Sequence, residues 1–404
     1  MRHIGVGPHS FISVTIAAAF LSIGLFLLAL AGGAARADQS DAAARETTPA
    51  FPFDGWNTHY DDFWAMRSVP RGEKAASPMR RAAEEIDVLY PYDGRLLRLA
   101  DYLDRNPVTG LLIARDDTIL FERYRHGRTE DHRFASASLA KTLTGLLVGL
   151  ALQEGAIRSL DDRAEAYVQE LAGTMYGATP IRALLRMRSG MAFRETYLGD
   201  DDFGRLLAEV SWPSRTGAVD ALRPFNTRVA PPGERFSYSS ADTELLGLVV
   251  ARATGMPLAD YLSTRIWQRL GAEADAVWAV DAGGQELAFC CAAARLRDWA
   301  RLGLMMAHDG AWGGEQVVPQ DWLLEMTTRS AGDRAGNYGY QVWLMSGERR
   351  MFALRGIHGQ AILVDPASRL VMVHMAARSR PAGDPAALEG VALWFALVAQ
   401  FGRP

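Results

Sequence analysis

The clearest chemical feature of the sequence is the pair Ser138 and Lys141, three positions apart in Ser-Leu-Ala-Lys. On a helix this spacing places a hydroxyl and an amine on one face, within reach of each other. Only two of the 43 Lys and Arg residues are lysines. Since the chain uses arginine almost everywhere for a positive charge, the lysine at position 141 indicates a role that an arginine cannot fill. A buried amine can lose its proton and act as a base, whereas a guanidinium stays charged. The spacing therefore predicts a serine nucleophile activated by a lysine base.

The elements around this pair favour the same interpretation. Residues 110–115 and 118–124 flank a polar turn and predict a β-hairpin. Apolar residues at helical spacing over residues 139–150 predict a helix with Ser138 at its start. The backbone N–H groups of a first helical turn favour an oxyanion that develops beside the serine. A simple helix-capping role for Ser138 is the alternative.

The remaining elements predict the fold class. Helical patterns begin near residues 179, 242, 257, 292 and 320, strand patterns cover residues 338–345, 349–354, 360–364 and 370–375, and a last helix covers 386–399. Strands at both ends of the chain thus enclose a helical middle. We predict an α/β fold of the α+β type, with an antiparallel sheet from the N- and C-terminal segments, flanking helices and an inserted, mainly helical lobe. The site would lie in the cleft between the lobes.

The segment boundaries follow from the same patterns. We predict a leader over residues 1–37, an extended arm over 38–93, an α/β lobe over 94–136 and 335–404, and a mainly helical lobe over 137–334, with 94–404 as one catalytic domain. In the leader, basic residues precede an apolar run, and Ala35-Arg36-Ala37 is typical of a cleavage site. The run is nearly long enough to span a bilayer, so the leader is either removed or kept as a membrane anchor. We expect an exported protein, periplasmic or secreted, that contacts a membrane only through such an anchor.

Composition and missing motifs exclude several classes of function. A formal net charge of -4 argues against nucleic acid as a partner. The sequence has no Cys/His cluster and no phosphate-binding glycine loop, so we expect neither a metal nor a cofactor. Cys290 and Cys291 are adjacent, and because a ring closed across one peptide bond is strained, we expect both to be buried, unpaired and apolar in character.

Three motifs occur in a fixed order along the chain: Ser138-Leu139-Ala140-Lys141, Tyr238-Ser239-Ser240 and His358-Gly359-Gln360. In order and separation they resemble the motifs of the serine β-lactamase and penicillin-binding-protein superfamily, in its class C-like branch. Within that branch the chain most resembles the 6-aminohexanoate-dimer (nylon-oligomer) hydrolases and related esterases, over about residues 110–376. The supporting stretches are residues 181–190, 232–247, 297–303 and 338–343.

This resemblance assigns roles to the motif residues. It implies that Ser138 is acylated, that Lys141 takes its proton and that Tyr238 relays a proton to the leaving group. The backbone N–H groups of Ser138 and Gln360 would form the oxyanion hole. Ser240 would either serve the substrate site or cap the helix that follows it.

Three further residues complete the predicted substrate site: His358, Gly359 and Tyr197. The imidazole of His358 would bond the substrate or hold Tyr238, unless backbone groups satisfy it. Tyr197 lies in a polar loop, residues 191–202, where the nylon-oligomer hydrolases use a tyrosine to hold the substrate amide.

The third motif departs from the β-lactamase pattern. Ile357 stands where those enzymes usually carry the lysine of Lys-Thr-Gly, so the cation for a drug carboxylate is missing. Arg355 lies two positions earlier, on the same face of a strand, and is the candidate replacement. The leading hypothesis is a hydrolase of small linear amides or esters that acts through an acyl-enzyme. A cell-wall D,D-peptidase or β-lactamase, and an inactive scaffold that binds cell-wall material, are the alternatives.

Overall fold

The computed structural model describes residues 60, 64–211, 214, 216–329, 337–379 and 386–402. The predicted leader, its cleavage site and the alternative anchor lie outside the described residues, as does the beginning of the predicted arm. Apart from the bend Ser346–Glu348, the described residues belong to one compact unit.

The strands are short, and most of them lie near the two ends of the described chain. They are β1 (Met66–Val69), β2 (Arg80–Arg81), β3 (Leu89–Tyr92), β4 (Arg95–Arg98), β5 (Val108–Arg115), β6 (Thr118–Tyr124), β7 (Arg133–Ala135), β8 (Ala276–Ala279), β9 (Ala292–Arg295), β10 (Ala311–Trp312), β11 (Glu315–Gln316), β12 (Trp343–Leu344), β13 (Phe352–Arg355), β14 (Ala361–Asp365) and β15 (Leu370–Ala376).

The helices occupy the middle of the chain and its C-terminal end. They are α1 (Leu99–Arg105), α2 (Ala140–Gln153), α3 (Ile181–Leu185), α4 (Asp202–Val210), α5 (Ala218–Leu222), α6 (Ser240–Thr254), α7 (Leu258–Leu262), α8 (Gln268–Leu270), α9 (Leu296–Ala307), α10 (Gln320–Thr327) and α11 (Ala386–Phe401).

The largest sheet joins both ends of the chain, in the order β12-β13-β14-β15-β5-β6-β2. Its neighbouring strands pair antiparallel, except for β6 and β2, which pair parallel. The predicted hairpin forms from β5 and β6, and β15 pairs directly with β5. The C-terminal strands therefore complete a sheet begun near the N-terminus, and the predicted α/β fold class is confirmed.

Alternation along β5 explains why helices cover both faces of this sheet. Leu112 and Ala114 belong to one apolar core, whereas Leu111 and Ile113 belong to a second. Successive side chains of a strand point to opposite faces, so an unbroken apolar strand needs cover on both sides. The first core includes residues of α2, α6 and α9, and the second includes residues of α1 and α11. The sheet is therefore a rigid layer within the core.

Three segments differ from the sequence-based expectation. The strand predicted over residues 338–345 is reduced to the two residues of β12. The helix predicted to begin near Ala292 begins only at Leu296, because residues 292–295 form β9 between β7 and β8. The alanines there favour a helix, but strand pairing in the tertiary structure outweighs a weak local preference. The described part of the predicted arm contains three strands, β1, β2 and β3, of which β1 pairs with β8.

Among the described residues, no single helix has the length and apolar composition needed to cross a membrane. The helix pair Ser240–Thr254 and Leu258–Leu270, bent by 74°, meets that test only when its two parts are taken together.

Candidate active site

Ser138 lies in a tight turn, Ala137–Leu139, that connects β7 to α2. It is partly exposed, while its neighbours in the chain are buried. The hydroxyl of Ser136 accepts the N–H of Ala292 at 3.0 Å, which anchors the turn to β9. Ala137 has a left-handed φ of 44°, a conformation that is uncommon for a residue with a Cβ and often occurs at functional sites. The serine is therefore presented to the surface by a firmly held turn.

Lys141 lies one helical turn after the serine and has an almost fully buried side chain, 1% exposed. Its Nζ is 3.1 Å from the Ser138 hydroxyl and 3.0 Å from the Ser240 hydroxyl. The third contact of Nζ is the backbone carbonyl of Phe289, at 3.0 Å. These three oxygens fix the amine beside the serine, as the spacing in the sequence predicted.

The surroundings of the amine lower its proton affinity. Burial lowers the pKa of Lys141 to about 8, although the nearby carboxylates of Glu195 and Glu244 oppose this change. Desolvation disfavours the charged form of an amine, so its influence outweighs that of the two acidic groups. An amine with such a pKa has a substantial neutral fraction near physiological pH and can accept a proton from the serine.

Tyr238 lies next to the Lys141 amine. Its ring centre lies 5.0 Å from the Lys141 Nζ, and its phenol lies near enough to the Ser138 hydroxyl to interact with it. Burial raises the pKa of Tyr238, and Glu195 adds to this effect, so the phenol keeps its proton. The ring stacks on Trp343, with ring centres 5.5 Å apart and planes 22° apart. Hydroxyl, amine and phenol thus meet at one point, as predicted.

Ser240 joins this cluster and does not cap the helix. The N-cap of α6 is Ser239, whose side chain accepts the N–H of Asp242. Ser240 accepts from the Lys141 amine and donates its own hydroxyl to Glu195 at 2.9 Å. The capping role that the sequence left open for Ser240 is therefore wrong, because the neighbouring serine fills it.

Glu195 is the site residue that the sequence analysis missed. Its carboxylate accepts the backbone N–H of Ser240 at 2.6 Å and the phenol of Tyr197 at 2.7 Å. Burial raises the pKa of Glu195, whereas Lys141 and the hydrogen bonds from Tyr197 and Ser240 lower it. The only signal in the sequence was its position in the polar loop, two residues before Tyr197. Its contact with Ser240 joins residues 45 positions apart along the chain.

The carboxylate of Asp201 helps to hold the polar loop that carries Glu195 and Tyr197. Asp201 accepts the backbone N–H groups of Tyr197 at 2.8 Å and of Gly204 at 2.8 Å. Tyr197 is partly exposed, packs edge-on against Phe203 and reaches the site through Glu195. The loop thus places Tyr197 at the edge of the site, where its phenol is hydrogen-bonded to Glu195.

The turn between β13 and β14 packs against the residues that precede Ser138. A Cβ added to Gly356 would lie 2.6 Å from the Gln360 side-chain oxygen, 2.9 Å from the Ser136 carbonyl oxygen and 2.9 Å from the Ala137 Cβ. Only glycine permits this close approach. The turn that leads to Gln360 therefore packs directly against the residues that precede Ser138, where a second oxyanion donor would have to lie.

His358 and Gly359 belong to the same turn and make mainly backbone contacts. His358 is buried, and its Nδ1 lies 2.9 Å from the carbonyl oxygen of Arg378. Burial lowers the pKa of His358, so the ring is neutral. This contact favours the interpretation that a backbone group, and not the substrate or Tyr238, binds the imidazole of His358. Gly359 has a φ of 93°, and an added Cβ would lie 2.9 Å from the Arg378 side chain.

The expectation that the two cysteines are unpaired is wrong. Cys290 and Cys291 form a disulfide with each other. Both are buried, as predicted, and Cys291 has a left-handed φ of 70°. The bent backbone lets two neighbouring thiols meet, which the sequence does not reveal. The disulfide directly follows Phe289, whose carbonyl binds the Lys141 amine.

No group of three or more His, Cys, Asp or Glu side chains within the described part of the chain could hold a metal ion.

The fold, together with the proteins that share it, defines this protein as a hydrolase. A model of the Beta-lactamase family matches residues 98–393. The chain is 30% identical over 359 residues to the 6-aminohexanoate-dimer hydrolase of Paenarthrobacter ureafaciens, which covers 84% of this chain and 90% of that protein. The chain therefore belongs to the beta-lactamase family, and the resemblance noted from the three motifs is confirmed.

Solved structures show the same fold. A candidate 6-aminohexanoate-dimer hydrolase from Bacillus anthracis superposes with a TM-score of 0.77 at 24% identity, covering 85% of this chain and 94% of that one. A D-amino acid amidase from Ochrobactrum anthropi gives a TM-score of 0.57 at 19% identity, over 76% and 98% of the two chains. EstCE1, a hydrolase with promiscuous acyltransferase activity, gives 0.60 at 15% identity, over 74% and 96%.

Proposed function

We propose that this protein is a serine hydrolase that cleaves small linear amides or esters through an acyl-enzyme at Ser138. The observation that carries the proposal is the buried Lys141 amine, 3.1 Å from a partly exposed serine hydroxyl. A binding scaffold has no need of an amine whose pKa burial has lowered to about 8. The relatives named as a 6-aminohexanoate-dimer hydrolase, a D-amino acid amidase and a hydrolase with promiscuous acyltransferase activity support the same class of reaction.

Acylation begins with proton transfer from Ser138 to the neutral amine of Lys141. The serine oxygen then attacks the substrate carbonyl, and the backbone N–H groups of Ser138 and Gln360 stabilise the resulting oxyanion. Tyr238 donates its phenolic proton to the leaving nitrogen or oxygen as the bond to the carbonyl carbon breaks. The proton on Lys141 restores the phenol, and the acyl group stays on Ser138.

Deacylation uses the same groups in reverse. A water molecule takes the place of the leaving group and, as it attacks the acyl carbonyl, gives a proton to Tyr238, whose own proton passes to Lys141. Collapse of the second tetrahedral intermediate returns a proton to Ser138 and releases the acid. In this scheme Ser240 and Glu195 are positioning residues, because Ser240 accepts from the lysine amine and Glu195 accepts from Ser240.

A fluorophosphonate probe tests the nucleophile directly. We expect the purified protein to be labelled and the Ser138→Ala variant to remain unlabelled while keeping its thermal melting temperature. Ser159→Ala is the matched control, because Ser159 lies in a surface turn where its hydroxyl accepts the N–H of Asp161. Absence of label on the folded wild-type protein would contradict the proposal.

The alternative is a D,D-peptidase or β-lactamase, which membership of the beta-lactamase family supports. We expect turnover of a short-chain p-nitrophenyl ester or a linear ω-amino-acid dimer to exceed that of a chromogenic cephalosporin, each relative to its uncatalysed rate. The reason is that Ile357 offers no charge to a drug carboxylate. Rapid acylation by a fluorescent penicillin and a larger rate enhancement on the cephalosporin would favour the alternative. The leader-like N-terminal sequence supports an exported location for either activity.

A further inference from the structure

His374 is a polar residue on an otherwise apolar face of the largest sheet. Side chains along β15 alternate between the two faces of that sheet. Val373 and Met375 belong to the first core, whereas Met372 belongs to the second. His374 therefore lies on the face of the second core, where it is only 3% exposed. A buried imidazole is unfavourable unless hydrogen bonds satisfy it, so its contacts indicate its role.

Both ring nitrogens of His374 have a partner. Nδ1 lies 2.6 Å from the backbone carbonyl oxygen of Gly359, and Nε2 lies 2.8 Å from the phenol oxygen of Tyr102 on α1. A carbonyl oxygen can only accept, so we assign the ring proton to Nδ1. Burial lowers the pKa of His374 to about 3, and the charge of Arg378 adds to this effect, so the ring is neutral. Nε2 then accepts from the phenol, and the hydrogen bonds run in one direction from phenol through imidazole to carbonyl.

The accepting carbonyl belongs to the peptide group that joins Gly359 to Gln360. The N–H of this same peptide group is that of Gln360, which the proposed mechanism uses as an oxyanion donor. A trans peptide group is planar, and its C=O and N–H bonds point in opposite directions. A hydrogen bond that fixes the direction of the Gly359 carbonyl therefore also fixes the direction of the Gln360 N–H.

Ser138 and His374 approach this turn from opposite faces of the sheet. Leu139 and Ala140, which follow the serine, belong to the first core. Tyr102, the partner of His374, belongs to the second core. A carbonyl that points toward His374 thus directs the N–H of the same peptide group toward the face on which the serine lies.

The glycine at position 359 makes such an anchor necessary. Gly359 has a φ of 93°, and a residue without a Cβ leaves its peptide groups few steric constraints. Two backbone bonds hold the turn nearby: Arg378 donates to the His358 carbonyl at 3.0 Å, and Gly356 donates to the Gln360 carbonyl at 2.8 Å. Neither bond involves the peptide group between Gly359 and Gln360. The bond from His374 does.

We propose that His374 is a positioning residue for the oxyanion hole: through the Gly359 carbonyl it aims the Gln360 N–H at the carbonyl oxygen of the substrate. Tyr102 supports this arrangement, because its phenol donates to Nε2 and so keeps the ring proton on Nδ1. The inference rests on the proposed function, since an oxyanion develops only if Ser138 attacks a carbonyl. An oxyanion donor binds the transition state more strongly than the substrate, so its orientation affects kcat more than KM.

Two substitutions of His374 separate its contact with Gly359 from its contact with Tyr102. The side-chain amide nitrogen of His374→Asn lies about where Nδ1 lies and keeps a donor for the carbonyl. His374→Gln is longer, so its amide lies about where Nε2 lies, and the bond to Gly359 is lost. His308→Gln is the matched control, because Nδ1 of His308 also lies 2.8 Å from a backbone carbonyl oxygen, that of Leu304, at the end of α9.

The first measurement is hydrolysis of a p-nitrophenyl ester, expressed per active site counted by fluorophosphonate labelling. Removal of an oxyanion donor lowers kcat by about a hundredfold to a thousandfold, so loss of its orientation in His374→Gln should lower kcat by about tenfold to a hundredfold. KM should change by less than about threefold. His374→Asn should recover most of kcat, and His308→Gln should match the wild-type protein. Tyr102→Phe should lower kcat less than His374→Gln does.

A pair of ketones tests the oxyanion directly. Benzyl trifluoromethyl ketone adds to Ser138 and places a negatively charged oxygen in the oxyanion hole, whereas benzyl methyl ketone binds as the neutral ketone. In His374→Gln the inhibition constant of the trifluoromethyl ketone should rise in proportion to the loss of kcat, and that of the methyl ketone should stay the same. A histidine with a purely structural role would lower the melting temperature without separating the two ketones.

Four results would overturn the inference. They are a wild-type kcat in His374→Gln, an equal loss of kcat in His374→Asn and His374→Gln, a rise in KM alone, and equal weakening of both ketones. If His374→Gln does not fold, Tyr102→Phe decides, because an unchanged kcat in that variant would also overturn the inference. Failure of the proposed function looks different, because the wild-type protein would then neither react with a fluorophosphonate nor turn over any ester.

Discussion

Replacing Lys141 by arginine keeps a positive charge at the site and removes the base. With a pKa of about 8, roughly one lysine in ten is neutral at pH 7. An arginine with an ordinary pKa has fewer than about one neutral group in 10⁵ at this pH. Even if burial lowered its pKa as much as it does for lysine, only about one in 10³ would be neutral. We therefore expect kcat to fall by about a hundredfold to ten-thousandfold, as severely as in Lys141→Ala.

The assay is steady-state hydrolysis of a p-nitrophenyl ester between pH 5 and 9.5. For the wild-type protein, kcat/KM should rise about tenfold per pH unit below the Lys141 pKa and level off above pH 8, because the neutral amine is the active form. Since the position is only 1% exposed, the larger guanidinium could also disturb packing. Thermal melting of the Arg variant, with Lys141→Met as a slimmer variant that also lacks the base, controls for this effect. Retention of more than about a tenth of kcat by Lys141→Arg, or a flat wild-type profile between pH 6 and 8, would refute the base role.

Three further changes probe the surroundings of the lysine. Tyr238→Phe keeps the stacked ring but loses the proton donor, so kcat should fall more than KM rises; a change in KM alone would make Tyr238 a binding residue. Glu195→Gln removes a negative charge that supports protonation of Lys141, so the pKa of Lys141 should fall and the acidic limb of the kcat/KM profile should shift to lower pH. A limb that stays in place or moves upward would contradict this arrangement. The double change of Cys290 and Cys291 to serine should lower kcat/KM several-fold, because the disulfide directly follows the Phe289 carbonyl that binds the Lys141 amine. The melting temperature should change little, because a disulfide between adjacent residues closes too short a loop to stabilise the fold by loop-closure entropy. Unchanged activity with a large loss of melting temperature would show that the disulfide is purely structural.

Local features of the site were readable from the sequence alone. The spacing of Ser138 and Lys141 predicts their contact, because on one turn of helix the distance between two side chains depends on nothing else in the molecule. The hairpin of β5 and β6 and the strands β13 to β15 also follow from local periodicity. The place of Tyr238 beside the serine came from the order of the motifs, since nothing near it in the chain points to the site.

What the sequence did not reveal are contacts between distant segments. It left open whether Ser240 serves the site or caps α6, and only the approach of Lys141 and Glu195 shows that Ser240 faces the site while Ser239 caps. The alanine-rich sequence of β9 favours a helix by local preference, and only pairing with β7 and β8 makes it a strand.

The same limit applies to charge and to the cysteines. A sequence lists 43 basic side chains but does not say which ones have a counterion, so the pairing of Arg349 with Asp365 emerges only when the chain is folded. The Cys290–Cys291 bond likewise depends on a backbone bend that residue type does not predict. Residue types and spacings thus determined which chemistry the chain can perform, because reactivity and helical geometry are local properties. Burial, pairing and pKa were decided by the tertiary structure, because each depends on groups that only folding brings together.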